Sequence, residues 1–144
     1  MSTLKVNTLQ DASGNNASTT AEIEQGRAKA WLKYEQIADS ISGNVGSTGI
    51  SDSFNIDSVT DAADGVTAVY FDTDFANTHY AVVGLCAPSA NNDHNSIIHH
   101  NRNGGNVGTR EAVQMTTGIG ITTIRVSDQT KQDTHFFIAA FGDQ

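Results

Sequence analysis

Short apolar stretches, each ended by Gly, Asn, Asp or Ser, recur along this chain from residue 30 onward, and this punctuation constrains the fold most. Strands are typically bounded by such turn-forming residues. The pattern predicts seven strands: Ala30–Tyr34, Ile50–Val59, Val66–Asp72, Tyr80–Ala87, Ser96–His99, Glu111–Ile124 and His135–Phe141. The sixth is either one strand or two, broken at Gly118-Ile119-Gly120. Short strands at this spacing, with no second helix, predict an all-β fold, and we expect an antiparallel, jelly-roll-like β-sandwich.

Two local patterns refine this expectation. In the stretch DSFNIDSV, Phe54 and Ile56 alternate with Asn55 and Asp57, which is the period of two expected for a half-buried strand. The pair Asp64-Gly65 follows, and these residue types suit the positive φ angles of a tight hairpin. We therefore expect one continuous strand up to Val59 and a turn at Gly65.

The first 17 residues have a different character. Leu4, Val6 and Leu9 are their only sizeable apolar side chains after the initiator, too few for a core. Alternation at Leu4 and Val6 suits a short strand, and DASGNN suits a turn. We expect residues 1–29 to form an extended N-terminal arm and residues 30–144 to form the β-sandwich head.

A short helix is predicted within the arm, over residues 20–25. Thr19 followed by Glu22 fits a capping box, and Gly26 fits the position just after a helix. One or two helical turns are too short to be stable without tertiary support.

Composition argues against several classes of function. The net charge is −8, from 16 acidic against 8 basic residues, and the one basic cluster (Arg27, Lys29, Lys33) lies among glutamates. Nucleic-acid binding is disfavoured, because neutralising phosphates needs clustered cations. No apolar run reaches the roughly 18–20 residues of a membrane span, and the start predicts no secretory signal. Cys86 has no partner cysteine and is expected to be a small buried hydrophobic residue.

Metal and catalytic chemistry find little support. His94, His99 and His100 lack metal-ligand spacing, since adjacent residues on a strand point to opposite faces, although one histidine per subunit on a symmetry axis would escape this test. The carboxylate pairs Asp72/Asp74 and Asp61/Asp64 occur where turns are expected. No nucleophile elbow and no phosphate-binding glycine loop is present. We expect no cofactor, no metal and no enzymatic activity.

One polar segment stands apart, PSANNDHNSIIHHNRNGGNVGTR, from Pro88 to Arg110. A 23-residue connection is longer than compact domains normally carry. Either Ser96–His99 is a strand that divides it, or the whole segment is a displayed loop. The Asn, Asp, Arg and His side chains of this segment can hydrogen-bond sugar hydroxyls, although the segment has no aromatic platform. The alternative is a solvent-exposed loop that binds no ligand.

The stretches STLKVNTLQDASGNN and EIEQGRAKAW resemble the opening of small tail-fibre or tail-associated structural proteins of tailed bacteriophages, notably those of marine bacteria and cyanobacteria. The following ISDSFNIDSVTDAADGVTAVYFDTDFANTHYAVVG is similar to the head domain of that family, and HFFIAAFGDQ is similar to its terminal strand. The chain departs from the family at LKYEQIADSISGN, where an aromatic Asn-Phe-Asn-Gly stretch is usual. The segment from Pro88 to Arg110 does not align.

The resemblance implies a virion tail component, assembled in the host cytoplasm, that forms a homotrimer and contacts other tail or baseplate proteins through its arm. The residues expected to take part in assembly are Leu4, Val6, Leu9, Ile23 and Trp31, the last either plugging the junction of arm and head or lying in the core. Those expected to contact a host glycan or protein are Asn92, Asp93, His94, His99, His100, Asn101, Arg102 and Arg110.

Two alternatives to a host-attachment role stay open. The first is a purely architectural virion protein, a cement, decoration or adaptor subunit that makes no host contact. The second is a small polysaccharide depolymerase that uses Asp72 or Asp74.

Overall fold

A computed structural model describes residues 5–15, 17–36, 45–46, 49–87, 96–100 and 114–144 of the chain. One helix and eleven strands lie in these ranges. In chain order they are β1 (Thr8–Leu9), β2 (Ser18–Thr19), α1 (Thr20–Gly26), β3 (Ala30–Glu35), β4 (Val45–Gly46), β5 (Ile50–Phe54), β6 (Ser58–Ala63), β7 (Val66–Tyr70), β8 (Ala81–Ala87), β9 (Ser96–His100), β10 (Gly118–Arg125) and β11 (His135–Phe141).

The strands β3 to β11 form two antiparallel sheets packed as a sandwich, so the predicted all-β fold is confirmed. One sheet has the order β4-β6-β7-β10-β9 and the other has the order β5-β3-β11-β8. Neighbours in the four-stranded sheet are never consecutive in sequence, because the chain repeatedly crosses to the other sheet. Such crossing connections bring residues distant in sequence into one face.

The core lies between the sheets and follows the alternation of each strand. Ala30, Leu32 and Tyr34 of β3 point inward, as do Phe136 and Ile138 of β11. They pack against the inward side chains of the other sheet, which are Val59, Val69, Ile119 and Ile121.

An aromatic cluster closes one end of the sandwich. The Phe75 and Tyr80 rings stack with centroids 4.2 Å apart, and Phe71 meets both edge-on. The buried Tyr80 hydroxyl lies 2.9 Å from the Met115 carbonyl and 2.8 Å from that of Gly118. Burial raises the pKa of this phenol well above its usual value, so it stays protonated and donates.

Several local predictions are confirmed. The helix α1 begins after Thr19, with both hydrogen bonds of the capping box formed. The turn at Asp64-Gly65 joins β6 to β7, and Gly65 has a φ of 64°. In the arm, Asp11 accepts hydrogen bonds from the Ser13 and Asn15 N–H groups, which forms the predicted turn.

The predicted strand Ile50–Val59 was wrong. It is two strands, β5 and β6, which belong to different sheets. The chain bends at Asn55, which has a φ of 56° and whose side chain bonds both the N–H and the carbonyl of Thr73, at 2.6 and 3.0 Å. The predicted shared face of Phe54 and Ile56 is lost, because Phe54 is exposed and Ile56 packs on the core.

Smaller corrections concern strand and helix ends. Of the two alternatives for the sixth predicted strand, the one broken at Gly118-Ile119-Gly120 does not occur, because these residues all lie in β10. Residues 114–117, predicted as strand, precede β10 in a turn, and residues 111–113 are not described. Gly26 is the last helical residue rather than the residue after the helix. The arm strand is β1, whereas Val6 is outside it and Leu4 lies outside the described residues.

Candidate functional site

The arm is ordered by its own backbone contacts. Strand β1 pairs with β2 in register Thr8↔Thr19 and Leu9↔Ser18, and the Thr20 N–H donates to the Asn7 carbonyl at 3.1 Å. The helix α1 then runs for seven residues to Gly26.

The capping box of α1 is electrostatically reinforced. The Glu22 carboxylate accepts from the Thr19 N–H at 2.7 Å and from its hydroxyl at 2.9 Å, and these bonds hold the pKa of Glu22 below its usual value. In return the Thr19 hydroxyl accepts from the Glu22 N–H at 3.1 Å. The helix start is therefore determined by two neighbouring residues rather than by the head.

Ion pairs within the end of the arm accompany a backbone hydrogen bond from the arm to the head. The Lys29 ammonium binds the Glu24 carboxylate, which lowers the pKa of Glu24, and Arg27 binds the same oxygen at 3.1 Å. Lys29 is nearly buried, and its N–H donates to the Ala140 carbonyl at 2.8 Å. This backbone hydrogen bond lies directly before the first residue of β3.

The apolar side chains of the arm are left uncovered by their own chain. Val6, Leu9 and Ile23 are exposed, and no residue of α1 is buried. A seven-residue helix with no buried face lacks the packing that stabilises most helices in proteins. The exposure of Val6, Leu9 and Ile23 leaves them available for contact with another chain, and their assembly role stays a prediction.

A second exposed apolar surface lies on the head and was missed from the sequence. It is the outward side of the four-stranded sheet, here called the outer face, and its side chains include Trp31, Lys33, Glu35, Asp52, Phe54, Val83, Leu85, Phe137 and Ala139. Trp31 belongs to this face, so its alternative placement in the core was wrong. Its role at a junction stays a prediction.

The sequence carried one signal for the outer face. Apart from His135, the strands AVVGLCA and HFFIAAF are apolar at both alternating sets of positions, where a strand with one face in water normally alternates apolar and polar residues. The strand β3 supplies Trp31 by the same alternation that buries Leu32 and Tyr34. An apolar set on both sides indicates that both sides are covered.

The residues predicted for host contact lie mostly outside the described chain. Asn92, Asp93, His94, Asn101, Arg102 and Arg110 are in this group. His99 and His100 belong to β9, which confirms that a strand divides the long polar segment, but their side chains are also outside the described part. The recognition role of all eight residues stays a prediction.

The two carboxylate pairs, Asp72/Asp74 and Asp61/Asp64, do not come together in one site. Asp72 and Asp74 are exposed in the connection after β7. Asp61 is buried between the sheets, whereas Asp64 is exposed in the hairpin turn. Within the described ranges, no group of three or more His, Cys, Asp or Glu side chains is placed to hold a metal ion.

Cys86 is half-buried and packs against the core from β8, which matches the expected role as a small hydrophobic residue except that burial is partial. Burial raises the pKa of its thiol, with an opposing contribution from a Thr134 hydrogen bond. A thiol kept protonated is a poor nucleophile.

The one helix of the described chain is too short to cross a bilayer. Comparisons of the chain with protein-family models, with curated proteins and with solved structures found no match.

Proposed function

We propose that this chain is a non-enzymatic structural protein of a bacteriophage virion, a tail-fibre or tail-tip component in which the arm joins copies into a homotrimer. The arm also contacts tail or baseplate proteins, and the β-sandwich head points outward. The segment from Pro88 to Arg110 contacts a host surface glycan or protein. The sequence resemblance motivates the virion and the host, and the arm supplies the physical reason for assembly.

The observation that carries the proposal is the uncovered apolar side of an ordered arm. Val6, Leu9 and Ile23 lie on backbone held by the β1–β2 pair and by the capping box, yet they touch no core. Full burial of such a side chain contributes about 1.5–3 kcal/mol relative to full exposure; because these three residues are 39%, 50% and 43% exposed, covering the rest contributes about 1 kcal/mol each. Three identical arms that cover one another gain this in each copy, and symmetric closure is the common form of such assemblies.

The test replaces Val6, Leu9 and Ile23 together by serine in the full chain. Because these side chains are exposed in the single chain, the head should keep its unfolding temperature while the trimer dissociates. The mass measured by light scattering after size exclusion should fall below that of three chains. The matched control replaces the exposed polar residues Lys5, Gln10 and Gln25 by alanine and should keep the wild-type mass. A serine variant that stays trimeric would contradict the role given to the arm.

The outer face gives support to a second candidate, an architectural virion protein that never meets the host. Such a cement or adaptor subunit would have its head covered by neighbours, and an uncovered apolar face on the head suits that arrangement. Binding of the fluorescently labelled full chain to intact host cells separates the two candidates. Binding favours attachment, and its absence with incorporation into particles favours the architectural role.

A further inference from the structure

The outer face presents a continuous apolar surface in two rungs across the sheet. One rung follows the register Phe54–Trp31–Ala139–Val83, and the next follows Asp52–Lys33–Phe137–Leu85. Leu85 is 74% exposed, Val83 is 58% exposed and Phe54 is 52% exposed, which are high values for apolar side chains in regular strands. A shallow groove of about 410 Å³ runs between β8 and β11, lined by residues 83–85 and 137–139.

Charge is confined to one side of this surface, on β3 and β5. Lys33 is opposite Asp52, and the Lys33 ammonium lies 3.9 Å from the Glu35 carboxylate and 5.9 Å from the centre of the Phe137 ring. Charge depletion with aromatic enrichment distinguishes the centres of protein interfaces from ordinary surface. The chain as a whole carries −8, whereas Lys33, Asp52 and Glu35 leave this face with −1, so two copies repel each other less here than over the rest of the surface.

The strand β8 adds an edge that carries no charged residue. It is the last of the described strands in its sheet order, and all seven of its residues, Ala81–Ala87, are uncharged and apolar or glycine. Edge strands that stay single usually carry charges, proline or a bulge, because open edges invite pairing with another chain. The opposite edge, β5, carries the charged Asp52, and its pairing with β3 has a register irregularity between Lys33 and Tyr34.

The shape of the face suits a copy of itself. Four strands about 4.8 Å apart and about six residues long give a footprint of roughly 20 by 20 Å, a projected area of about 400 Å². This is about half of the roughly 800 Å² that each partner buries in a standard interface, so we expect pairing through this face alone to be weak and to depend on concentration. Sheets pack face to face when their twists match within about 30°, and a second copy supplies a face of identical twist.

We propose that the outer face packs against the outer face of a second copy of this chain, with Leu85 and Phe137 at the centre of the contact. This gives the head an assembly surface separate from the arm. Such pairing goes beyond the proposed function, because it applies to any particle or complex in which the protein assembles.

The experiment changes Leu85 in the full chain, once to aspartate and once to lysine. Leu85 is the most exposed apolar side chain of the face, so the fold should tolerate either change, and thermal unfolding verifies this. Sedimentation equilibrium over a range of protein concentrations measures the dissociation constant for pairing through the outer face. In both variants this constant should rise at least thirtyfold, the usual effect of removing a central interface anchor. Opposite charges should act alike, because both variants remove the same apolar side chain from the interface.

The matched control is Ile97→Asp. Ile97 is 51% exposed on the outward side of the other sheet, so the change adds the same charge to a comparable strand position. It should alter the dissociation constant by less than threefold. Wild-type association in both Leu85 variants would overturn the inference, as would a wild-type chain that is monomeric at all concentrations. If only the variant with serine at Val6, Leu9 and Ile23 loses association, the copies associate through the arm alone, and this result would contradict pairing through the outer face.

Discussion

Gly65 shows at the scale of one residue how the hairpin between β6 and β7 is built into the rest of the head. Its N–H donates to the Asp133 carboxylate at 2.7 Å, and its carbonyl accepts from the Thr123 N–H at 2.9 Å. A β-carbon at this position would lie 2.5 Å from the Thr123 carbonyl oxygen and 2.6 Å from the Gln132 nitrogen. The turn therefore needs glycine for its conformation and for its space.

The change Gly65→Ala should cost about 1–2 kcal/mol of unfolding free energy for the left-handed backbone. It should cost about 1–3 kcal/mol more for the overlap with backbone atoms, as in overpacked cores. Gly14→Ala is the control, because Gly14 has a φ of 80° and a β-carbon there would meet no atom within 4 Å. This change should therefore lose at most the unfolding free energy that the left-handed backbone costs. Urea denaturation measures both, and equal losses would show that the space around Gly65 does not limit the side chain there.

At the scale of one element, the helix α1 is stabilised chiefly by its first turn. Thr19 supplies the acceptor for the Glu22 N–H and binds the Glu22 carboxylate twice, while no residue of the helix is buried. The cap should therefore dominate the local stability of the arm.

Thr19→Ala should remove about 1 kcal/mol of helix stability, the usual value of such a cap. Hydrogen exchange of the α1 amides should accelerate about fivefold, whereas the amides of β7 in the head should be unchanged. The control Thr20→Ala changes a neighbouring helical residue without touching the cap, and it should not accelerate exchange. Equal effects of the two changes would show that the cap does not determine the stability of α1.

Elements defined by neighbouring residues could be predicted from the sequence. The capping box joins Thr19 to Glu22 and the hairpin turn joins Asp64 to Gly65, so their physical causes are visible locally. The division between β5 and β6 could not be predicted, because the bend at Asn55 is stabilised by Thr73, 18 residues away. Alternation across the bend appeared continuous for this reason.

The arm and the outer face also differ in how far each could be predicted from the sequence. The assembly role of the arm is an expectation from the family resemblance, and the exposure of Val6 and Leu9 is compatible with it. The outer face could not be assembled from the sequence, because Trp31, Leu85 and Phe137 come from three strands whose order requires chain crossings. Only the apolar composition of β8, and of β11 apart from His135, indicated that such a face exists.

At the scale of the whole molecule, the head is a sandwich with a packed apolar interior and with apolar side chains also exposed on its exterior. The aromatic cluster of Phe71, Phe75 and Tyr80 closes one end of the head, while apolar side chains stay open on the arm and on the outer face. Proteins that act alone rarely expose large contiguous apolar patches. We therefore expect the working form to contain several copies of the chain.

The most direct test is the solution mass of the unmodified full chain, measured by light scattering after size exclusion across a wide range of concentration. At the dilute end we expect a stable species of three times the 15.3 kDa of one chain, joined by the arms, with larger multiples at the concentrated end as outer faces pair. A mass of 15.3 kDa at every concentration would contradict this expectation, since the arm and the outer face would then both stay uncovered by copies of the chain.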